Sequence, residues 1–183
     1  GSLCASCVLP IQNGDLAGLL PLRLALAVVG AIATYVPRER LGVKWPNDVW
    51  IGQHNVAGIL CRRQCGADMI GIGVNITSQL SDAPQEIQTL ATTIGMHCDR
   101  PPTRGQFLIS LWLALRQELC DSRLSDWQER YHHLHILTHQ AVLLTYDGQV
   151  TAGRCEGIDK QGQLILNTNT GICAFRNGIV RLA

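Results

Sequence analysis

Three short segments hold the side chains with chemical potential. The first is Val43-Lys44-Trp45-Pro46-Asn47-Asp48-Val49. Pro46 lacks an N–H and pushes Trp45 into extended geometry, so no regular helix or strand runs through it. Asn47 and Asp48 favour a turn, which presents an amide and a carboxylate between two strands, with the Lys44 amine close by. Taken alone, the segment reads equally as an ordinary Pro-Asn-Asp turn with Trp45 in the core. The second segment is Val56-Ala57-Gly58-Ile59-Leu60, and a glycine inside an apolar strand marks a bulge or a close backbone approach. The third is Ile70-Gly71-Ile72-Gly73-Val74-Asn75-Ile76. Its alternating glycines strip one strand face of side chains, and Asn75 ends it with a donor and an acceptor. Such glycines also serve plain sheet packing, and no third glycine opens a helix as in a dinucleotide fingerprint.

Elements that must position these residues follow from the patterning. Leu16 to Val36 is almost wholly apolar but carries Arg23 and Pro21, so a buried helix capped by Asp15 is predicted rather than a membrane span. Val43–Trp45, Val49–Ile51, Val56–Cys61 and Met69–Asn75 read as strands, the second and third joined as a hairpin by Gly52-Gln53-His54-Asn55. Ser81 to Arg104 is irregular, with one short helix around Ile87–Ile94. Thr103 opens a helix whose buried face is Phe107, Leu108, Leu111, Leu113, Leu115 and Leu119. Ser125 caps a second, Asp126 to His135. Then come five short strands, Ala141–Tyr146, Gln149–Ile158, Gln163–Leu166, Gly171–Phe175 and Ile179–Leu182, whose spacing and turns predict a small barrel.

Composition sets the outer limits. The chain has 183 residues, 46% hydrophobic and 16% charged, with 15 basic and 14 acidic side chains for a net charge of +1, which is globular rather than disordered. So balanced a charge argues against a nucleic-acid binder. Lysine occurs only at Lys44 and Lys160. Eight scattered cysteines, in a chain with ample apolar material and no visible signal peptide, read as reduced thiols of a cytoplasmic protein. Cys4-x-x-Cys7 with His132, His133, His135 and His139 leaves a zinc or redox module as a further alternative.

In this order and spacing, the three segments resemble the biotin–protein ligases. That family's pattern runs Lys-Trp-Pro-Asn-Asp, then a hairpin ending Lys-x-x-Gly-Ile-Leu, then Gly-x-Gly-x-Asn. Residues 44–48 match five in a row; lipoate ligases do not normally carry the Trp-Pro pair. Gly1-Ser2-Leu3-x-x-Ser6 is similar to the strand that follows the family's arginine-rich loop. Gly157-Ile158-Asp159-x-x-Gly162-x-Leu164 and Asn177-Gly178-Ile179-Val180-x-Leu182 are similar to its C-terminal barrel. The resemblance implies an α+β fold: a mixed β-sheet with helices packed on one side, of class II synthetase type, over residues 1–136, then an SH3-like barrel over 137–183. It implies a two-step reaction in which biotin and ATP, with Mg2+, give biotinyl-5′-AMP, which acylates one lysine of a carboxylase biotin carrier domain. Lys44, Asn47 and Asp48 would border the reacting carbonyl. Trp45, Gly58, Gly71 and Val74 would line the biotin pocket, and Gly73 and Asn75 would meet the nucleotide. No protein-bound metal, nucleic acid or membrane is expected.

The chain departs from the family pattern twice. The Gly-Arg-Gly-Arg-Arg-Gly loop belongs ahead of the strand with which this sequence starts, so upstream sequence is expected. The edge bared without it is expected to associate, as in a homodimer. Asn55 stands where the family has its catalytic lysine, and the nearest cations are His54, Arg62 and Arg63. Strand alternation puts Arg62 on the face of Gly58 and Leu60. The alternative function is therefore a degenerate family member that binds biotin or a carrier domain without ligating.

Overall fold

The computed structural model describes residues 1–10, 18–120 and 126–183. The first sheet holds β1 (Ser2–Pro10), β2 (Leu41–Lys44), β3 (Asp48–Ile51), β4 (His54–Gln64) and β5 (Ala67–Asn75), in the order β1-β5-β4-β3-β2. Every ladder in it is antiparallel; parallel pairing is confined to the isolated bridges Val43–His135 and Asn55–Ala91, which is all that remains of the expected mixed character. Period-two alternation sorts the side chains into two faces. Val43, Val49, Ile51, Ala57, Ile59, Ile70, Ile72 and Val74 are buried on one face. Cys4, Ser6, Gly58, Leu60, Gly71 and Gly73 share the other, which no helix among the described residues covers.

Helix α1 (Leu20–Ile32) packs on the buried face, with Leu24, Ala25, Val28, Val29 and Ile32 fully enclosed between the sheet and α3 (Arg104–Cys120). Pro21 sits in its first turn, where a missing N–H costs least. The expected caps Asp15 and Ser125 lie outside the described residues. Thr103 opens α3 through a reciprocal box: its N–H and hydroxyl donate to Gln106 Oε1 (2.9 and 3.0 Å), and Gln106 N–H donates to Thr103 Oγ1 (3.3 Å). The buried stripe of α3 is narrower than expected. Phe107 and Leu111 are enclosed, whereas Leu108 and Leu113 are 45% and 57% exposed, because they lie one and two 100° steps around from those anchors. Between these elements, α2 (Gln85–Leu90) is the short helix expected in the irregular stretch.

Glu118 shows how the three longer helices are joined. It is 3% exposed. It accepts bidentate bonds from Arg130 of α4 (Trp127–Leu134), at 2.9 and 3.0 Å. From α1, Arg23 Nε donates to Glu118 Oε1 at 3.2 Å, and Arg23 Nη2 reaches the Glu118 carbonyl. One enclosed carboxylate is thus satisfied by two guanidinium groups, the condition under which a buried charge is tolerated.

The second sheet is antiparallel in the order β10-β6-β7-β8-β9, built from β6 (Ala141–Tyr146), β7 (Gln149–Ile158), β8 (Leu164–Thr168), β9 (Gly171–Phe175) and β10 (Ile179–Leu182). Val142, Leu144, Cys155, Leu164, Leu166 and Val180 form its core. Among the described residues no helix is long and apolar enough to cross a membrane. All eight cysteines are unpaired, and no group of three or more His, Cys, Asp or Glu among the described residues is placed to hold a metal ion. Cys4 and Cys7 point to opposite faces of β1, since three residues along a strand reverses direction.

Candidate functional site

The open face of the first sheet carries a row of directly opposed residues: Lys44, Asp48, Gly58, Gly73 and Cys4, one from each strand. A second row, Leu60, Gly71 and Ser6, runs beside it. Because three of these positions are glycine, the middle of the face is bare backbone. The result is an open depression of about 330 Å3 lined by Cys4, Ser6, Asn47, Gly58, Leu60, Gly71 and Gly73. A Cβ on Gly73 would find only the Gly58 carbonyl oxygen, at 4.0 Å, so its glycine is not demanded by packing. The empty space belongs to the site.

Asn47 is the anchor of the loop that ends this row. Its Nδ2 donates to the Ile59 carbonyl (2.6 Å), and Ile59 N–H donates back to the Asn47 carbonyl (3.0 Å). Asp48 beside it is half-buried. Burial raises its carboxyl above the ordinary range, against the Lys44 charge and the Asn55 side chain. Lys44 is shifted the other way: burial lowers it, assisted by Arg181 of β10 and opposed by Asp48. Its Nζ stands 5.1 Å from the centroid of Trp50, a cation–π contact. Burial thus pushes acid and base each towards the neutral form, while their mutual attraction opposes it.

Asn55 reaches Asp48 through a backbone irregularity. Val49 opposes Ala57 but Trp50 opposes Asn55, so Val56 is an extra residue in β4. Regular alternation would put Asn55 on the core face with Ala57 and Ile59. The bulge turns it to the open face instead, and Val56 and Ala57 are both buried although adjacent. Its side chain then lies near enough to the Asp48 carboxylate to favour its charged form. Arg62 shares the open face, opposite Met69, but lies four residues beyond Gly58, about 13 Å along the strand. Arg63 is engaged elsewhere, with Asp68 at 2.8 and 2.9 Å.

Asn75 ends the glycine strand on the same face as Gly71 and Gly73, opposite Ser2, whose hydroxyl donates to its Oδ1 (3.3 Å). Two expected pocket residues are corrected. Val74, 1% exposed, points into the core because it alternates with Gly73. Trp45, 2% exposed, also points inward, and its Nε1–H donates to the Gly162 carbonyl (3.0 Å) rather than to the depression. Leu60, placed by alternation on the Gly58 face, is 71% exposed there. Neighbours not expected at the site are Cys4, Ser6, Trp50 and Arg181; Trp50 stands two residues from Asp48, so alternation alone would have found it. Arg181 carried no local signal, being brought in by the second sheet.

Residues 2–77 match the model of the biotin/lipoate A/B protein ligase family, and residues 140–180 match the biotin protein ligase C terminal domain. The chain is 30% identical over 165 residues to the bifunctional ligase/repressor BirA of Bacillus subtilis, covering 84% of this chain and 49% of that one. It is 31% identical over 161 residues to the biotin–[acetyl-CoA-carboxylase] ligase of Mycobacterium tuberculosis, covering 82% and 57%. The chain thus spans about half the length of the curated relatives it matches. In fold it superimposes on the biotin protein ligase of Aquifex aeolicus with a TM-score of 0.89 at 23% identity, covering 100% of this chain and 83% of that one.

Proposed function

From the matches of residues 2–77 and 140–180 to the biotin/lipoate A/B protein ligase family and the biotin protein ligase C terminal domain, we propose that the chain is a biotin protein ligase that activates biotin with ATP and passes the biotinyl group to a lysine of a carboxylase carrier domain. The observation that carries this reading is the row Lys44–Asp48–Gly58–Gly73, which sets an amine and a carboxylate at the rim of a bare-backbone floor. A flat ureido ring lies against backbone only where side chains are absent, and Gly58, Gly71 and Gly73 supply that area. Exposed Leu60 offers an apolar wall for the valeryl chain. A biotin carboxylate at the Lys44 end attacks the α-phosphorus of ATP, forming the mixed anhydride and releasing pyrophosphate. Magnesium enters with ATP as part of that substrate. The Lys44 ammonium offsets phosphate charge during attack. In the second step a carrier lysine amine attacks the anhydride carbonyl, AMP leaves, and Asp48 receives the amine's proton. Asn47 holds the loop, and the amide nitrogen of Asn75 is a donor for the adenylate phosphate. The cytoplasm, where carboxylases and ATP meet and thiols stay reduced, is the proposed compartment.

Isothermal titration with a non-hydrolysable biotinyl-adenylate analogue tests the reading, with biotin alone as comparison. Binding of the analogue at least tenfold tighter than biotin, lost in Gly73→Val, is the expected result. No binding by the folded chain would overturn it.

A further inference from the structure

The depression is built on one sheet, yet the strand that presents Lys44 is held from the other. Trp45 is enclosed beneath the first sheet, and its one polar atom, Nε1, donates to the carbonyl of Gly162 across a sequence separation of 117 residues. Gly162 closes the turn Asp159-Lys160-Gln161-Gly162 between β7 and β8. That turn is organised by Asp159: its Oδ1 accepts the N–H of Gln161 (2.9 Å) and of Gln163 (2.8 Å), and its carbonyl accepts the N–H of Gly162 (3.0 Å). Gly162 is pressed against the start of α1. A Cβ on Gly162 would lie 2.8 Å from Leu22 Cδ1 and 2.9 Å from Leu19 Cδ2, and its φ of +77° is one that glycine adopts freely. On the other side of Lys44, the Val43 carbonyl accepts the N–H of Ile136 (3.0 Å), and Val43 bridges His135, in the segment that leads into β6. Both strand neighbours of Lys44 are therefore fixed by the C-terminal half of the chain. Alternation then leaves Lys44 itself pointing to the open face.

We infer that the turn Asp159–Gly162 is a strut that positions the Lys44–Asp48 segment through Trp45, making Asp159 and Gly162 positioning residues for a reaction neither of them touches. The inference rests on the proposed function for its consequence, though not for its geometry. A group displaced by about 1 Å from its working place loses on the order of a hundredfold in rate, so a modest slackening of the strut is visible in turnover. Substrate binding on the glycine floor, held by β1, β4 and β5, is expected to change far less.

The test uses the chain's two lysines, Lys44 in the row and Lys160 in the strut. Labelled with 13C at Cε, they give one resonance at each end of the contact. Three variants are compared with the parent chain: Asp159→Ala, Asp159→Asn, which keeps an oxygen for both N–H groups, and Trp45→Phe, which keeps a six-membered aromatic ring and removes the pyrrole ring with its donor. In Asp159→Ala, kcat for adenylate formation is expected to fall by about tenfold or more with the biotin KM within about twofold. The Lys44 resonance moves, and its titration midpoint, lowered in the parent by burial and Arg181 against Asp48, returns upward. Asp159→Asn restores both, and Trp45→Phe moves the Lys44 resonance in the same direction without moving that of Lys160. An unmoved Lys44 resonance in both Asp159→Ala and Trp45→Phe would overturn the strut, as would equal effects of Asp159→Ala and Asp159→Asn. A parent chain that forms no adenylate sinks the proposed function alone, because the lysine resonances decide the strut without turnover.

Discussion

Replacing Asn55 by lysine puts a cation at the position where the biotin–protein ligase pattern carries its lysine. The bulge at Val56 already aims residue 55 at Asp48 on the open face, so the new side chain needs no backbone change to enter the row. A unit charge about 4 Å from a phosphoryl oxygen contributes roughly 4 kcal/mol at an effective dielectric near 20. Asp48, which now lies near the Asn55 side chain, would share that ammonium, and taking half for this competition leaves about 2 kcal/mol. The expected gain is therefore roughly thirtyfold in adenylate formation, not the thousandfold of an unshared charge. The assay is biotin-dependent exchange of labelled pyrophosphate into ATP, with analogue binding by calorimetry on the same samples. Asn55→Gln, uncharged but long enough to reach, should stay within about threefold of the parent. An unchanged exchange rate in Asn55→Lys, with analogue binding intact, would refute the assignment of residue 55 to the phosphate end of the site.

Three further outcomes follow from the geometry. Gly73→Val should leave the circular dichroism spectrum and melting temperature essentially unaltered, since a Cβ there meets nothing nearer than 4.0 Å, while analogue affinity falls by about a hundredfold or more. Glu118→Ala strands two partly buried guanidinium groups and should cost about 3 kcal/mol or more in urea unfolding, with Glu118→Gln in between. His135 is held neutral by burial, its pKa lowered from 6.5 to about 4, with His132 adding to the effect. The unfolded chain then binds the extra proton first, so stability is lost as pH falls from about 6.5 towards 4, by roughly 3 kcal/mol. Unfolding of His135→Gln should show a flatter slope across that window, and an identical slope would rule out His135 as its source.

Much of this architecture was readable from the residues. The strands of the C-terminal sheet fall within two residues of their expected bounds because Asp147-Gly148, Asp159–Gly162 and Asn177-Gly178 are strong turn chemistry. The Lys44–Asp48 segment and the glycine strand were found as chemistry and do lie in one row. Trp45 and Val74 were misplaced for a single reason: order along the chain says which segments meet, whereas the facing of each side chain is set by parity, and both alternate with residues that do face the site. Leu108 and Leu113 of α3 were assigned to the core on apolarity, although only the stripe through Phe107 and Leu111 reaches α1. The bulge, the Glu118 junction and the Trp45–Gly162 contact had no local signature, since each depends on partners fixed by tertiary packing.

That bulge also limits how the hairpin can vary in length. The loop at Gly52-Gln53 joins β3 to β4 outside the site, and residues gained or lost there shift no side chain across the sheet. Between Asn55 and Ala57 the count is a matter of odd and even. Losing Val56 would straighten the ladder and leave Asn55 next to Ala57, so that Asn55 and Gly58 would both still face the depression. Keeping Val56 in a regular, unbulged ladder would instead exchange inside for outside on one side of it: either Asn55 would enter the core beneath Asp48, or Gly58 would take its bare backbone away from the depression. A homologous hairpin shorter by one at this place can thus present both residue 55 and the glycine floor to the same side without any bulge, whereas one of this length needs it.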